Sequence, residues 1–315
     1  MSDERHLAMA HGAEFDAIRD LLAEWGPLAS GIGDDAAVLD VPPGERLVIS
    51  TDASIEDVHF RREWLTAEEI GARAAAAALS DLAAMASVPR GLLLSLGVPE
   101  SWRTSLTQIA RGVGRVAASV ECPIVGGNVS SADALSLTFT VVGSALSPMR
   151  RRGAKPGDII FVTGTLGGPG AALGALMEGR TPAADHRRRF AAPAPRIAEA
   201  RWISEQRAVA GIDISDGLRG DAEHLARASK VSLVLNGSSV PRVAGVTAAE
   251  ALASGEEYEL LVAFRPDELP DGSEFERRFG LPLTAIGVAV PARDDPVVIR
   301  DVGVDPGGGF DHLRA

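Results

Sequence analysis

Hydrophobic and polar positions along the chain alternate between two periods. Residues 13–25 place Phe15, Ile18, Leu21, Leu22 and Trp25 at helical spacing, and Gly26-Pro27 ends that helix. Gly31-Ile-Gly-Asp-Asp then leads into a short apolar run. The turn Pro42-Pro43-Gly44 returns the chain through a second run that ends in Ser50, Thr51 and Asp52. Thr66-Ala-Glu-Glu69 predicts a capping box that opens an alanine-rich helix reaching about Ala86. Strands are expected at 91–98 and 123–130, the latter running into a glycine turn at Gly126, Gly127 and Asn128, with a helix at about 101–120 between them. Residues 135–143 alternate apolar and small polar side chains, the pattern of a half-exposed strand that a second subunit could cover.

At 148–158 the sequence turns basic and rich in turn formers, and a domain boundary is placed there, giving domains 1–147 and 148–315. Beyond it the pattern predicts a strand at 159–163 and a glycine-rich loop, Gly164 to Gly170, opening a helix. An arginine-rich helical region follows at about 186–206, then a strand at 208–214 and a helix at about 217–229. Further strands are expected near 231–236, 258–264, 284–290 and 297–300. Strands and helices mix without strict alternation, so the fold class is α+β rather than a doubly wound sheet.

Composition narrows the chemistry. In 315 residues, 46% are hydrophobic and 23% charged, as in an ordinary globular protein with room for about two cores. A formal net charge of −12 argues against a nucleic-acid surface and suits a protein that gathers divalent cations. The single cysteine, Cys122, lies in an apolar run and is read as a core residue. No signal peptide is visible and no window reaches eighteen uncharged apolar residues, so a cytoplasmic location without a membrane span is expected.

The candidate chemistry is acidic. Asp35 and Asp52 flank the opening apolar runs, Asp81 interrupts an apolar helix, and Asp213 and Asp216 lie within Gly211-Ile-Asp-Ile-Ser-Asp-Gly217. Carboxylates and hydroxyls without a nearby lysine suit a hard, oxygen-seeking cation such as Mg²⁺. An ordinary turn explains Asp34 and Asp35 as readily, an ion pair with Arg73 explains Asp81, and a solvated acidic turn explains the glutamates of Ser254-Gly-Glu-Glu-Tyr-Glu-Leu. Gly31-Ile-Gly-Asp-Asp-Ala36 fits a dinucleotide fingerprint in form only, because two aspartates would repel a pyrophosphate and no strand precedes it. The loop at 164–170 is read either as a phosphate cradle or as a plain strand-to-helix turn. No serine triad, cysteine/histidine metal site or lysine phosphate loop competes, and phosphoryl transfer can proceed by positioning and charge neutralisation without a protein nucleophile.

With these motifs in order, joined by Leu-Ser-Asp81-Leu-Ala-Ala-Met, His59-Phe60 and Arg-Arg-Gly-Ala-Lys-Pro-Gly-Asp158, the chain resembles the thiamine-monophosphate kinases. These belong to the aminoimidazole-ribotide synthetase-like superfamily. The resemblance implies a two-domain fold, with an N-terminal mixed sheet that pairs into a barrel across a homodimer and a layered C-terminal domain. It implies ATP-dependent phosphorylation of thiamine monophosphate to thiamine diphosphate, assisted by several Mg²⁺ ions and without a phosphoenzyme. Metal positions fall on Asp35, Ser50, Thr51, Asp52, Asp81, Asn128, Asp213 and Asp216. ATP contacts fall on Gly127, Asn128, Arg151 and Ser215, and thiamine-phosphate contacts on His59, Glu256 and Phe310. Two departures stand out: Asn128 replaces a family aspartate, and Ser254-Gly-Glu-Glu replaces Gly-Gly-Glu-Asp. The first leaves open a paralogue that binds without turnover, alongside another activity of the superfamily.

Overall fold

The computed structural model describes residues 12–302. Two compact units divide near Pro148, except that Ala83–Ala86 cluster with the second unit. The Met149 N–H donates to the Met85 carbonyl (3.0 Å), which ties that segment to the start of the second unit.

The first unit contains α1 (Ala13–Trp25), β1 (Arg46–Ile55), α2 (Ala67–Ala84), β2 (Val88–Val98), α3 (Leu106–Ser119), β3 (Ile124–Ser131) and β4 (Ser136–Ala145). Its sheet has the order β1-β4-β2-β3 and is mixed, since β2 pairs in parallel with β3 and antiparallel with β4. The capping box forms as predicted: the Thr66 N–H donates to Glu69 (2.8 Å) and the Glu69 N–H to the Thr66 hydroxyl (3.3 Å). Glycine lets α2 and α3 touch backbone to backbone. A Cβ on Gly71 would lie 2.2 Å from the Ile109 carbonyl oxygen, and one on Gly112 would lie 1.9 Å from that of Glu68. Trp25 closes the other side, its indole N–H donating to the Ala110 carbonyl (2.8 Å).

Three local expectations for this unit change. The run after Asp35 is not a strand, and Val38 is 92% exposed. β1 continues to Ile55, so Asp52 lies inside the strand rather than at its end. Gly126 and Gly127 make no turn but sit within β3, where a Cβ on Gly127 would lie 2.0 Å from the Leu94 carbonyl oxygen. They permit close strand approach beside the register shift at Leu92/Leu93.

The second unit is built on a six-stranded sheet. Its strands are β5 (Ile159–Thr163), β6 (Ala210–Asp213), β7 (Val231–Asn236), β8 (Leu260–Phe264), β9 (Leu283–Pro291) and β10 (Val297–Arg300), in the order β10-β7-β9-β5-β8-β6. Among the described residues only the edge pair β10/β7 is parallel. Helices α4 (Gly168–Met177), α5 (Ala184–Ala191), α6 (Ile197–Glu205), α7 (Leu218–Ser229), α8 (Ala248–Ala253) and α9 (Gly272–Phe279) connect the strands. Ile212, Leu218, Leu225, Leu233, Leu261 and Ile286 belong to one apolar core beneath the sheet. The arginine-rich stretch forms two helices, because Pro193 and Pro195 fall where one would have to continue. The fold is α+β with two mixed sheets. Among the described residues no helix is long and apolar enough to cross a membrane.

Candidate functional site

In the first unit, strand alternation sets Ser50 and Asp52 on one face of β1 and Thr51 on the other. The Ser50 hydroxyl donates to the Asp81 carboxylate at 2.5 Å. From Ile70 to Ala84 helix α2 is buried except at Ala77 and Asp81, one turn apart, so Asp81 stands at an opening in an otherwise closed helix. Asp52 accepts from the Ala53 N–H (2.8 Å), whereas Thr51 donates to the Phe139 carbonyl (2.9 Å) across the sheet. The register sets Asn128 opposite Ser95, which in turn faces Thr138. Asn128 is therefore exposed on the open face with Thr51, away from Ser50 and Asp81. Asp34 and Asp35 are exposed in the loop before β1.

His59 occupies a turn between β1 and α2. Its Nδ1 accepts from the Ile55 N–H (3.2 Å), and its carbonyl accepts from the buried Arg73 guanidinium (2.9 Å). With Nδ1 acting as acceptor, the neutral ring carries its hydrogen on Nε2.

In the second unit, Asp213 ends β6 and is buried, and Ser215 and Asp216 form the turn into α7. Both turn N–H groups donate to one oxygen of Asp221, at 3.0 and 3.1 Å. Burial, and then the charges of Asp213 and Asp216, push Asp221 up to about 8. The glutamate stretch lies against this turn, with the Glu256 N–H donating to the Ser215 carbonyl (2.7 Å) and the Tyr258 N–H to that of Ile214 (2.9 Å). Arg151 is exposed on a loop pinned by Ser229, whose hydroxyl donates to the Arg151 carbonyl (2.9 Å). The Gly211 N–H holds the neighbouring Arg150 carbonyl (2.9 Å), so this basic loop runs beside β6. Phe310 lies outside the described residues.

The glutamates are not a solvated acidic turn. Glu257 and Glu259 are buried. Glu259 pairs with Arg196 (2.5 Å) and accepts from the Thr163 hydroxyl (2.6 Å). Glu257 accepts from the Gly167 N–H and the Ser254 hydroxyl, both at 2.5 Å, and burial pushes it up to about 8. These contacts decide the glycine-rich loop. The Gly167 and Gly170 N–H groups are bonded to Glu257 and Ser254, and a carboxyl group occupies the place a phosphate would need, so the loop is a strand-to-helix turn. Cys122 is a core residue whose burial pushes its thiol up to about 12. Asp221 and Arg196 escaped the sequence reading, which noticed Glu257 only as part of a solvated acidic turn. Only Asp221 left a local signal, as a carboxylate in the first turn of a predicted helix.

Among the described residues no three His, Cys, Asp or Glu side chains converge into a ready-made metal cage. The donors that do gather are carboxylate and hydroxyl oxygens. That set fits Mg²⁺, which takes one or two carboxylates and completes its shell with water and substrate phosphates.

Residues 33–145 match the family model described as AIR synthase related protein, N-terminal domain, and residues 155–300 its C-terminal domain. The thiamine-monophosphate kinase of Bacillus subtilis is 33% identical over 91% of this chain and 94% of its own. The crystal structure of thiamine-monophosphate kinase from Stenotrophomonas maltophilia superposes with a TM-score of 0.79 at 30% identity, covering 93% of this chain and 98% of that one. AaThiL, solved in complex with AMPPCP and TMP, gives a TM-score of 0.77 at 28% identity over 95% of this chain and 96% of its own. Both domains, the identity over nearly the whole length and the shared architecture agree: the chain belongs to the thiamine-monophosphate kinase family.

Proposed function

We propose that this chain transfers the γ-phosphoryl group of ATP directly to the phosphate of thiamine monophosphate, forming thiamine diphosphate with no phosphoenzyme. The observation that carries this reading is the likeness to AaThiL, whose structure holds AMPPCP together with TMP. The oxygen-donor sets on each unit support it independently of that likeness.

On the first unit, Asp35, Asp52 and Asp81 supply carboxylate oxygens and Ser50 a hydroxyl for Mg²⁺. Thr51 and Asn128, which the family pattern adds, turn their side chains to the other face of the sheet and are the easiest assignments to break. On the second unit Asp213 and Asp216 serve the same purpose. Bound Mg²⁺ would neutralise the charge that accumulates when two phosphate-bearing substrates react. His59 offers Nε2–H as a donor to a phosphate oxygen, since Nδ1 is engaged by Ile55. Gly127, Arg151 and Ser215 are assigned to ATP, and Glu256 and Phe310 to thiamine monophosphate.

The open face of the first unit's sheet carries Leu47 and Ile49, 54% and 62% exposed, beside Val142 in register with Ile49. Apolar side chains on a sheet face lose stabilisation in water, and we assign their cover to a second copy of the chain in a homodimer. Light scattering on the purified protein checks this, with a monomer at micromolar concentration as the opposing result. The activity is tested by ATP consumption with thiamine monophosphate against thiamine. Turnover with the monophosphate alone is expected, and no turnover overturns the proposal.

A further inference from the structure

We propose that Asp221 is a positioning residue that aims the Ser215–Asp216 turn. The inference rests on the reading of Asp213, Ser215 and Asp216 as metal and nucleotide groups. Asp221 is 2% exposed in the first turn of α7 and touches the turn through one oxygen that accepts from two successive main-chain N–H groups, Ser215 at 3.0 Å and Asp216 at 3.1 Å. Its own N–H donates to the Gly217 carbonyl (3.0 Å), so backbone and side chain both bind the helix start to the turn.

The opposite edge of the turn is held as firmly. The Ser215 carbonyl accepts from Glu256 and the Ile214 carbonyl from Tyr258, and the Ile214 N–H donates to the Glu259 carbonyl (2.8 Å). The main chain of 214–216 is thus committed to protein partners on two sides, which fixes the directions in which the Ser215 and Asp216 side chains leave it. A short side chain ending in a planar, two-lone-pair oxygen can reach two adjacent N–H groups from the first helical turn. Placing a carboxylate there, beside Asp213 and Asp216, costs charge repulsion that an apolar residue would avoid. An apolar residue, however, would leave two part-buried N–H groups without their acceptor.

The test is Mn²⁺ binding, followed by electron paramagnetic resonance, on the full chain in the presence of AMPPCP. Asp221→Asn keeps an oxygen acceptor at the same reach, and its Mn²⁺ affinity should stay within about threefold of the wild type. Asp221→Ala, shown to be folded by its circular dichroism melt, should bind Mn²⁺ about tenfold or more weakly, the usual cost of losing a group that orients metal ligands. Wild-type affinity in Asp221→Ala overturns the inference. So does a folded Asp221→Asn as weak as the alanine variant, because charge rather than the acceptor would then matter. If Asp221→Ala does not fold, Asp221→Glu replaces it. The extra methylene displaces the oxygen, so its affinity should fall about fivefold below that of Asp221→Asn, and equal affinities overturn the inference. A wild type that binds no Mn²⁺ overturns the metal reading itself and the inference with it, a result distinct from wild-type binding that Asp221→Ala leaves unchanged.

Discussion

In the first unit Asp34 and Asp35 stand exposed in a loop, and Asp81 is half-buried at an opening in α2, where it accepts from the Ser50 hydroxyl. In the second unit Asp213, Asp221, Glu257 and Glu259 are all buried. Water reaches the first set, most fully at Asp34 and Asp35, so a cation there displaces water where the buried set would have to give up protein donors. The second set lost its hydration when the chain folded, and the protein supplies donors in its place: Arg196 for Glu259, Gly167 and Ser254 for Glu257, and two turn N–H groups for Asp221. Similar acidic motifs therefore carry different burdens. In the open set substitution should change function with little effect on folding, whereas in the buried set the two are linked.

The largest expected effect lies in the buried set. Arg196→Met strands the Glu259 carboxylate and should cost about 3–5 kcal/mol of unfolding free energy in a denaturant titration. A loss near that of a surface pair would erase the distinction. The open set should respond through catalysis instead. Asp35→Asn is expected to lower turnover with ATP and thiamine monophosphate about a hundredfold, as removal of a charge-stabilising group commonly does, while the melting temperature stays put. A stability loss with normal turnover would make Asp35 a loop residue.

A smaller effect follows from Glu257. Unfolded, the group titrates near 4.5, but folded it is pushed up to about 8 by burial. Between those values the folded chain keeps a proton that the unfolded chain releases, so this group's contribution to stability falls as pH rises through the window and levels off above it. Glu257→Gln keeps the acceptor oxygen and removes the titration. Its melting temperature should therefore gain on the wild type by several degrees between about pH 5 and about pH 8. A constant gap would mean Glu257 is ionised in the fold. The smallest effect is expected at Asn128→Asp, which should lower the Mg²⁺ concentration for half-maximal turnover by a few fold. Unchanged Mg²⁺ dependence would fit its place on the open face and remove it from the metal set.

Local signals carried much of this fold. The capping box at Thr66, the strands at 231–236 and 297–300 and the helix from 218 to 229 follow from short-range period and punctuation. What escaped depended on distant partners. Gly126 and Gly127 look like turn residues until Leu94 is laid against them. The glutamates of 256–259 look solvated until Arg196 and Gly167 arrive from 63 and 90 residues away. Candidate site residues were legible where a carboxylate broke an apolar pattern, as at Asp81 and Asp213. They were illegible where, as with Asp221, the carboxylate looked like an ordinary favourable charge at a helix N-terminus.

The assignment of Ala83–Ala86 to the second unit has a practical consequence for dissecting this protein. A single cut in the chain near 148 separates the Met149 N–H from the Met85 carbonyl to which it donates, because Ala83–Ala86 stay with the first fragment. A C-terminal fragment expressed alone would begin with the Met149 N–H lacking its acceptor, and supplying residues 83–86 as a grafted leader is the natural repair.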